Sequence, residues 1–476
     1  MESENSQLSR NGVPAQPKPI RDHVTDASSA RNRMAQQLMS AIPWRKRVKH
    51  DATPWKQSRK ERLEKKLEEM VYWNEILYNI LPFELKNSIL RQGISGYMLA
   101  DPGEATFLSE LDNSALSQQA KLFEAYRKLA ITDSNASTSV DEVRSRLIDF
   151  STLGPVIFED GQPFSIVRSS NDQNAPYYLI EWYQLPEVVG AGLELRSIAR
   201  ERLAKLSVLL SAENKPSTLY AAESIGYIEA NDLYRFGLVS RIPAGVSTTT
   251  PPISLYSLIC REPLPGTSIR RPLPTLSQRF TLASSLATSL YTFMLARWHH
   301  KMFNSLNIYF FATKTEDKLP NLNNPLVGGY TVSRPSAAGE ISISGTHTTL
   351  SETYLHPQLR VPLRQRPKYV SKYEIYALGL LLAEIGFWQP ISKIAAANLP
   401  LHGGHTAEGL KRAVVDKTCS DLACRMGEKY RDVTRRCLEI DDTLDRRIGD
   451  GLADFYWNVV LELVRCDERV KLIARC

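Results

Sequence analysis

The hydrophobic pattern of this sequence changes twice, near residue 150 and again after Pro243, and the changes separate regions of different structure. Between them, runs rich in β-branched and aromatic residues alternate with turn residues. This pattern predicts three strands, then a helix, then two strands, at 156–158, 164–167, 177–183, 193–210, 221–228 and 235–240. We therefore expect a small β-rich region that contains one helix.

The sequence after Pro243 has helical spacing instead. Apolar residues recur at three- and four-residue steps over 276–295, and a nearly unbroken apolar run over 376–387 predicts a buried helix. Further helices are predicted around 407–415, 426–438 and 450–465. A small β-rich region before a larger helical region predicts the α+β class.

The sequence before residue 150 predicts an arm and a helical segment. Residues 1–50 are polar and basic and are not expected to fold alone. An amphipathic helix over 58–81 ends before Pro82, further helical pieces follow to about 129, and 131–140 is a polar linker. The predicted divisions of the chain are 1–50, 51–130, 150–245 and 246–472.

Composition excludes several classes of protein. The 476 residues include 43% hydrophobic and 23% charged residues, as in ordinary soluble proteins. No apolar run reaches about 18 residues and the first 30 residues are polar, so we predict neither a membrane helix nor a secretory signal. The expected location is the cytoplasm, with the nucleus as an alternative. The six cysteines form no C-x-x-C pair, and we expect no zinc site.

The net charge of +7 is concentrated in residues 45–66. Such a run forms either a solvated helix face beside a flexible arm or a contact with an anionic surface. We keep an anionic membrane surface as a candidate partner of 45–66. Other proteins are the expected partners of the remainder, nucleic acid is not expected, and the oligomeric state is not predicted.

The segment 300–307, HKMFNSLN, follows the long predicted helix and precedes a β-like run at 308–311. It is similar to the H-R-D-x-x-x-x-N catalytic loop of protein kinases, whose aspartate is the base and whose asparagine binds magnesium. His300 and Lys301 match the first two positions, and Asn307 matches the last. Met302 replaces the aspartate, and a thioether cannot accept a proton from a hydroxyl group.

Further blocks resemble kinase segments in the same order. Residues 326–330, LVGGY, take the place of D-F-G and offer no carboxylate to a metal. Residues 354–357, YLHP, take the place of A-P-E. Residues 373–379, YEIYALG, resemble the D-x-Y-S-x-G start of a buried helix, with Glu374 in place of aspartate.

The residues of these blocks, together with SRP at 333–335 and EIGFW at 384–388, resemble one subfamily of kinase-like domains. This is the fungal protein-kinase-like (pseudokinase) domain of the type found with HeLo or prion-inhibition-and-propagation domains. The resemblance covers roughly 155–470 and implies a bilobal fold, with a β-rich N-lobe at 150–245 and a helical C-lobe at 246–472. Residues 55–82 are similar to the last helix of a HeLo-type domain, which implies a truncated or divergent version.

Several parts of a kinase site are missing. The strands contain no G-x-G-x-x-G, since Gly154 and Gly161 are isolated. Glu181 lies where the phosphate-binding lysine is expected, and an acid there would repel ATP phosphates. Glu194 and Glu201 are candidates for the helix glutamate, although without its lysine either is expected to be solvated.

Phosphoryl transfer depends on positioning and electrostatic stabilisation, so these losses together predict no catalytic residue and no ATP or magnesium cofactor. His300 is interpreted as a packing residue. Asn307 either caps the loop or keeps residual nucleotide or metal binding. Arg334 either binds a phosphate or carboxylate with two hydrogen bonds or forms a buried ion pair.

The resemblance therefore implies a catalytically inactive interaction or regulatory module in fungal self/non-self or stress signalling. The alternatives are a divergent, active ATP-dependent serine/threonine kinase and a membrane- or nucleic-acid-associating protein acting through its basic arm. The small-lobe surface and the groove between lobes are the expected docking sites. If side chains fill that groove, Trp182 and Met302 are the candidates.

Overall fold

The computed structural model describes mainly the part of the chain after residue 144. The described residues are 65–66, 69, 145–154, 163–168, 175–184, 192–211, 217–230, 235–248, 251–261, 273–296, 298–313, 320–330, 332–335, 349–440, 452 and 454–473. The chain divides into two units, Met1–Lys86 and Asn87–Cys476. In the first unit, Lys65, Lys66 and Glu69 are helical and exposed. Everything below concerns the second unit.

Alternating apolar residues give this unit a four-stranded antiparallel sheet with the order β1-β2-β4-β3. The strands are β1 (Phe164–Arg168), β2 (Tyr177–Gln184), β3 (Ser224–Ala230) and β4 (Arg235–Arg241). Successive side chains point to opposite faces, so both faces of the sheet carry a buried cluster. Helix α1 (Gly192–Ser211) joins β2 to β3 and packs on β3.

The remainder of the unit is mainly helical. Short strands and helices lead into and out of the long α3: β5 (Ile253–Ser254), α2 (Leu255–Ile259), α3 (Leu276–Leu295), β6 (Trp298–His299), β7 (Ile308–Phe310), β8 (Leu326–Val327) and β9 (Arg334–Pro335). They are followed by α4 (Thr349–Glu352), α5 (Ser371–Phe387), α6 (Ile391–Ala395), α7 (Ala407–Lys417), α8 (Ala423–Met426), α9 (Glu428–Leu438) and α10 (Leu461–Ile473). Strand β7 pairs with β5 and β8, and β6 pairs with β9.

Helices α3 and α5 form the centre of the helical region. A capping box between Thr275 and Gln278 satisfies backbone groups at the start of α3. Helix α5 is buried over nearly its whole length, as expected for a helix that is apolar on every side. It packs against α3 and α9, and α3 also packs against α10. One apolar cluster extends from α1 and β4 through these helices.

The α+β class predicted from the sequence is confirmed, since a small antiparallel sheet precedes a helical region. The predicted helices at 193–210, 276–295 and 407–415 match α1, α3 and α7 within two residues. The predicted strand 156–158 and nearly all of 1–144 lie outside the described residues. The predicted domain boundaries stay predictions. Among the described residues, no helix has the length and apolar character that a membrane crossing requires.

The close packing of α5 on α9 depends on Gly379. A Cβ atom at this position would lie 2.9 Å from Cys437 Cβ and 3.0 Å from the backbone nitrogen of Leu438. Alanine favours a helix interior by about 1 kcal/mol over glycine, but overpacking costs about 1–3 kcal/mol. We expect Gly379→Ala to lower the free energy of unfolding, by up to about 2 kcal/mol, in urea titrations. The exposed Lys393→Ala in α6 should change it by under about 0.5 kcal/mol, and a Gly379→Ala protein as stable as the wild type would contradict this packing argument.

Candidate functional site

The loop 300–307 lies between β6 and β7. Glu374, in the first turn of α5, binds its backbone. The Glu374 carboxylate accepts the backbone N–H of Lys301 at 2.6 Å and the hydroxyl of Tyr369 at 3.2 Å. Lys301 has a φ of +67°, an uncommon left-handed conformation for a residue with a side chain. The buried carboxylate therefore helps to hold the loop in a conformation that its sequence alone would not favour.

His300 is fully buried inside this loop. Its ring contacts Phe293 and Phe303 edge to face at 5.5 Å and lies 5.0 Å from Tyr330. Its Nδ1 accepts the backbone N–H of Met302 at 3.3 Å. Burial lowers the pKa of His300 to about 3, so the imidazole is neutral at physiological pH. A neutral, enclosed ring supports the loop by packing.

The side chain of Asn307 is used within the loop. Its Nδ2 donates to the carbonyl of Met302 at 2.9 Å, and its Oδ1 accepts from the Tyr309 hydroxyl at 3.4 Å. Its carbonyl accepts the backbone N–H of Gly328 at 2.9 Å. A metal ion or a phosphate would have to displace these contacts to reach Asn307. Met302 is half-buried and offers no oxygen ligand from its side chain.

The block 328–330 is packed tightly against Asn307 and β2. A Cβ on Gly329, whose φ is +84°, would lie 2.3 Å from Asn307 Cγ. A Cβ on Gly328 would lie 3.2 Å from Glu181 Oε2 and from the rings of Phe164 and Tyr309. A carboxylate side chain at 328 would therefore need its neighbours to move, so this backbone does not fit a metal-binding aspartate.

Glu181 of β2 joins the sheet to this block. Its carboxylate accepts the backbone N–H of Gly329 at 2.6 Å and that of Tyr330 at 3.1 Å. Burial raises the pKa of Glu181 to about 7, and the two N–H donors oppose that rise. Glu181 is thus a structural acceptor for the backbone of the 328–330 block.

Apolar side chains from the sheet and from β7 and β8 pack against this block and fill the space beside it. The rings of Phe164 and Tyr309 meet edge to face at 4.4 Å. They belong to a buried cluster, here called the cleft cluster, of Phe164, Ile166, Leu179, Tyr309, Phe311 and Leu326. The cavity beside Glu181 and Tyr330 has ≈ 10 Å³, about the space of one water molecule. A nucleoside does not fit there.

Trp182, one of the two candidates for filling this space, does not lie in it. Its indole Nε1 donates to Ser165 Oγ at 2.7 Å, and its ring packs on Phe150 and Arg235 on the other face of the sheet. Side chains alternate along β2, so Leu179 and Glu181 share the cleft face while Trp182 points away. Sequence reasoning missed Phe164 and Tyr309, although this alternation was available as a signal.

A third buried carboxylate, that of Glu384, joins three of the sequence blocks. Glu384 of α5 accepts the Tyr354 hydroxyl at 2.7 Å and the backbone N–H of Ile391 at 3.1 Å. The Tyr354 and Ser305 hydroxyls lie 2.7 Å apart. Burial raises the pKa of Glu384 to about 7. The loop, the YLHP block and the EIGFW block therefore share one hydrogen-bonded network.

The other candidate residues lie around the loop. Arg334 is buried in β9 opposite His299 of β6, and Ser333 Oγ donates to the Tyr330 carbonyl at 2.8 Å. Glu201 pairs with Lys205 one turn away on α1 and is largely exposed. Gly161 and the side chain of Glu194 lie outside the described part of the chain. Within the described residues, no group of three or more His, Cys, Asp or Glu side chains could hold a metal ion.

Comparison with known families gives one match. Residues 239–464 are similar to the family described as Domain of unknown function (DUF7580). That range includes the loop, the 326–330 block, Tyr354 and all of α5. It begins within β4 and leaves out Glu181 and Phe164. No curated protein matches the chain.

The raised pKa of Glu181 gives a pH test of the contact between β2 and the 328–330 block. With a folded-state pKa of about 7 against an ordinary 4.5, the folded protein keeps a proton that the unfolded chain releases. This contribution to stability is present below pH 4.5 and is lost as pH rises through about 7. Glu181→Gln should reduce the fall in unfolding free energy over that range, by on the order of 2–3 kcal/mol.

The measurement is a series of urea titrations of wild type and variant across this pH range. Protonation of His299 and His300, whose pKa values burial lowers to about 3, acts in the opposite direction but is common to both proteins. The exposed Glu468→Gln should keep the wild-type fall. An unchanged fall in Glu181→Gln would show that this carboxyl is not the group titrating.

Proposed function

We propose that residues 150–472 are a catalytically inactive protein-kinase-like domain that acts as an interaction or regulatory module. The proposal includes a bilobal arrangement, with the sheet and α1 as the small lobe and the helical region as the large one. The biological setting that we propose, fungal self/non-self or stress signalling beside a HeLo-type segment, is supported by the resemblance of the sequence blocks alone.

The order and pairing of elements support the kinase-like part of the proposal. Four strands form one antiparallel sheet. The helix between the second and third strands in sequence packs on that sheet. A long helix then leads into a loop that a buried acid of α5 holds through a backbone N–H. The sequence blocks that resemble kinase segments thus meet one another in space, although they are spread over some 80 residues of sequence.

The filled cleft is the observation that carries the inactive part of the proposal. In the proposed kinase-like arrangement the cleft cluster takes the place of the nucleotide, and Glu181 holds Gly329 and Tyr330 against the sheet. ATP would have to separate Phe164 from Tyr309 and approach a buried acid of its own charge sign. Since phosphoryl transfer depends on positioned cations and oxygen ligands, these residues do not fit ATP with magnesium.

If the domain does not transfer phosphoryl groups, its proposed role is to contact other proteins. An inactive domain of this size affects other molecules through its surface and through changes in its own conformation. The alternative role of residues 45–66 at an anionic membrane stays a prediction, because that run lies outside the described residues except for Lys65 and Lys66, which are exposed.

A measurement of ATP binding is the simplest test of the proposal that the domain is catalytically inactive. We expect thermal unfolding of the full chain to be unchanged by ATP with magnesium, because a ligand without a site gives no mass-action stabilisation. A ligand at about 100 times its Kd would stabilise the fold by about 2.7 kcal/mol. The same titration with an active protein kinase is the positive control.

Two outcomes would contradict the proposal. One is a magnesium-dependent rise in melting temperature that saturates with ATP. The other is transfer of the γ-phosphoryl group to the chain or to a general protein substrate above the level of a heat-denatured sample. Phe164→Ala should open space in the cleft without creating magnesium dependence, since no carboxylate stands at 302 or 328.

A further inference from the structure

The segment between Glu352 and Glu374 is strongly basic. Residues 353–373 contain no Asp or Glu and carry five cations, Arg360, Arg364, Arg366, Lys368 and Lys372. The whole chain has a net charge of only +7. A local excess of this size over 21 residues creates a positive field that a mixed surface does not have.

Four of these cations form what we call the basic strip, namely Arg360, Arg364, Arg366 and Lys368. Arg364 and Lys368 are exposed and the other two are half-buried. None of the four forms an ion pair with a described residue, and Arg366 Nε donates only to the carbonyl of Val361. On the neighbouring helices, by contrast, basic side chains pair with acids, as Arg412, Lys417 and Arg435 do with Glu408, Asp421 and Glu439.

The backbone of the strip is preorganised. Pro357, Pro362 and Pro367 fix φ at five-residue intervals. Single turns of 3₁₀ helix form at Pro357–Leu359 and Leu363–Gln365. Binding to such a segment costs little backbone entropy, because the segment is already ordered.

The strip lies beside the loop 300–307, and its cations disfavour further positive charge there. Burial and Arg334 lower the pKa of Lys301 to about 7, and Arg366 adds to this effect. Lys368 is among the groups that lower the pKa of His299. Lys301 Nζ lies 5.2 Å from the centre of the Tyr369 ring, which connects the loop to the strip. An anionic group at the strip would relieve this mutual repulsion.

We propose that the basic strip docks an acidic segment of a partner protein. Arginine forks pair with carboxylates through two parallel hydrogen bonds, and three of the four cations are arginine. The inference deepens the proposed interaction role and rests on it, since it names a surface for that role. It does not depend on whether the cleft binds ATP.

Two other anionic partners fit the strip less well. A membrane surface is favoured by exposed apolar side chains that insert, and among the described side chains of 353–373 no large hydrophobic one is exposed. Single-stranded nucleic acid needs exposed aromatic faces for stacking. Tyr369 is half-buried, and its ring is already in contact with His299, Lys301 and Tyr373.

The test measures binding of a fluorescent peptide of about eight glutamates, whose extended length matches the distance that residues 360–368 can span. Fluorescence anisotropy with the full chain should show binding at about 50 mM NaCl that weakens steeply towards 0.3 M, as charges are screened. Arg364→Glu with Lys368→Glu should weaken binding at least about tenfold. Lys393→Glu with Lys429→Glu, an equal charge change at exposed helix positions, should weaken it less than about twofold.

Circular dichroism and melting temperature establish that both double variants are folded. No peptide binding by the wild type, or an equal loss in the two double variants, would overturn the proposal. Anionic phospholipid vesicles and single-stranded RNA are run in parallel, and binding of either through the strip without peptide binding would also overturn it. ATP binding is measured on the same samples, so a failed proposal about the cleft is distinguished from a failed proposal about the strip.

Discussion

The carboxylate of Glu181 is the contact on which the candidate site depends. It lies on the inner face of the sheet and accepts the backbone N–H groups of Gly329 and Tyr330, and Gly329 packs closely on Asn307. A buried acceptor of this kind is costly to leave unsatisfied, since each lost hydrogen bond exposes a desolvation penalty of about 1–3 kcal/mol. The apolar cleft cluster then closes over the same place. The sheet and the loop are thereby held together by groups of the chain itself.

Two further buried acids repeat this arrangement in the helical region. Glu374 holds the backbone at Lys301, and Glu384 holds Tyr354 and the start of α6. In each case burial raises the pKa of the carboxyl to about 7, and in each case the partners are backbone N–H groups or hydroxyls. Loops that are separate in sequence are therefore fixed from α5, which brings motifs far apart in the chain together.

Much of the fold follows from sequence periodicity. Helices α3 and α5 have long apolar patterns, and β1, β2 and β4 were recognisable from β-branched runs between turn residues. The contents of the cleft were less predictable. Trp182 was a candidate for filling the groove, but strand alternation directs it to the opposite face, and Phe164 and Tyr309 lie inside. The role of Glu181 depends on backbone N–H groups almost 150 residues away, and no local pattern contains such a pairing.

The kinase-like pattern of loops that we propose works without a nucleotide. On this proposal, the contact between Glu181 and residues 329–330 is permanent and is not a closed state that ATP opens. Hydrogen exchange at the amides of Gly329 and Tyr330, measured with and without ATP and magnesium, tests that claim most directly. We expect both amides to exchange slowly, in step with buried amides of α5, and at rates that ATP leaves unchanged. Fast exchange at these amides, or a change in their rates that saturates with ATP, would contradict the account.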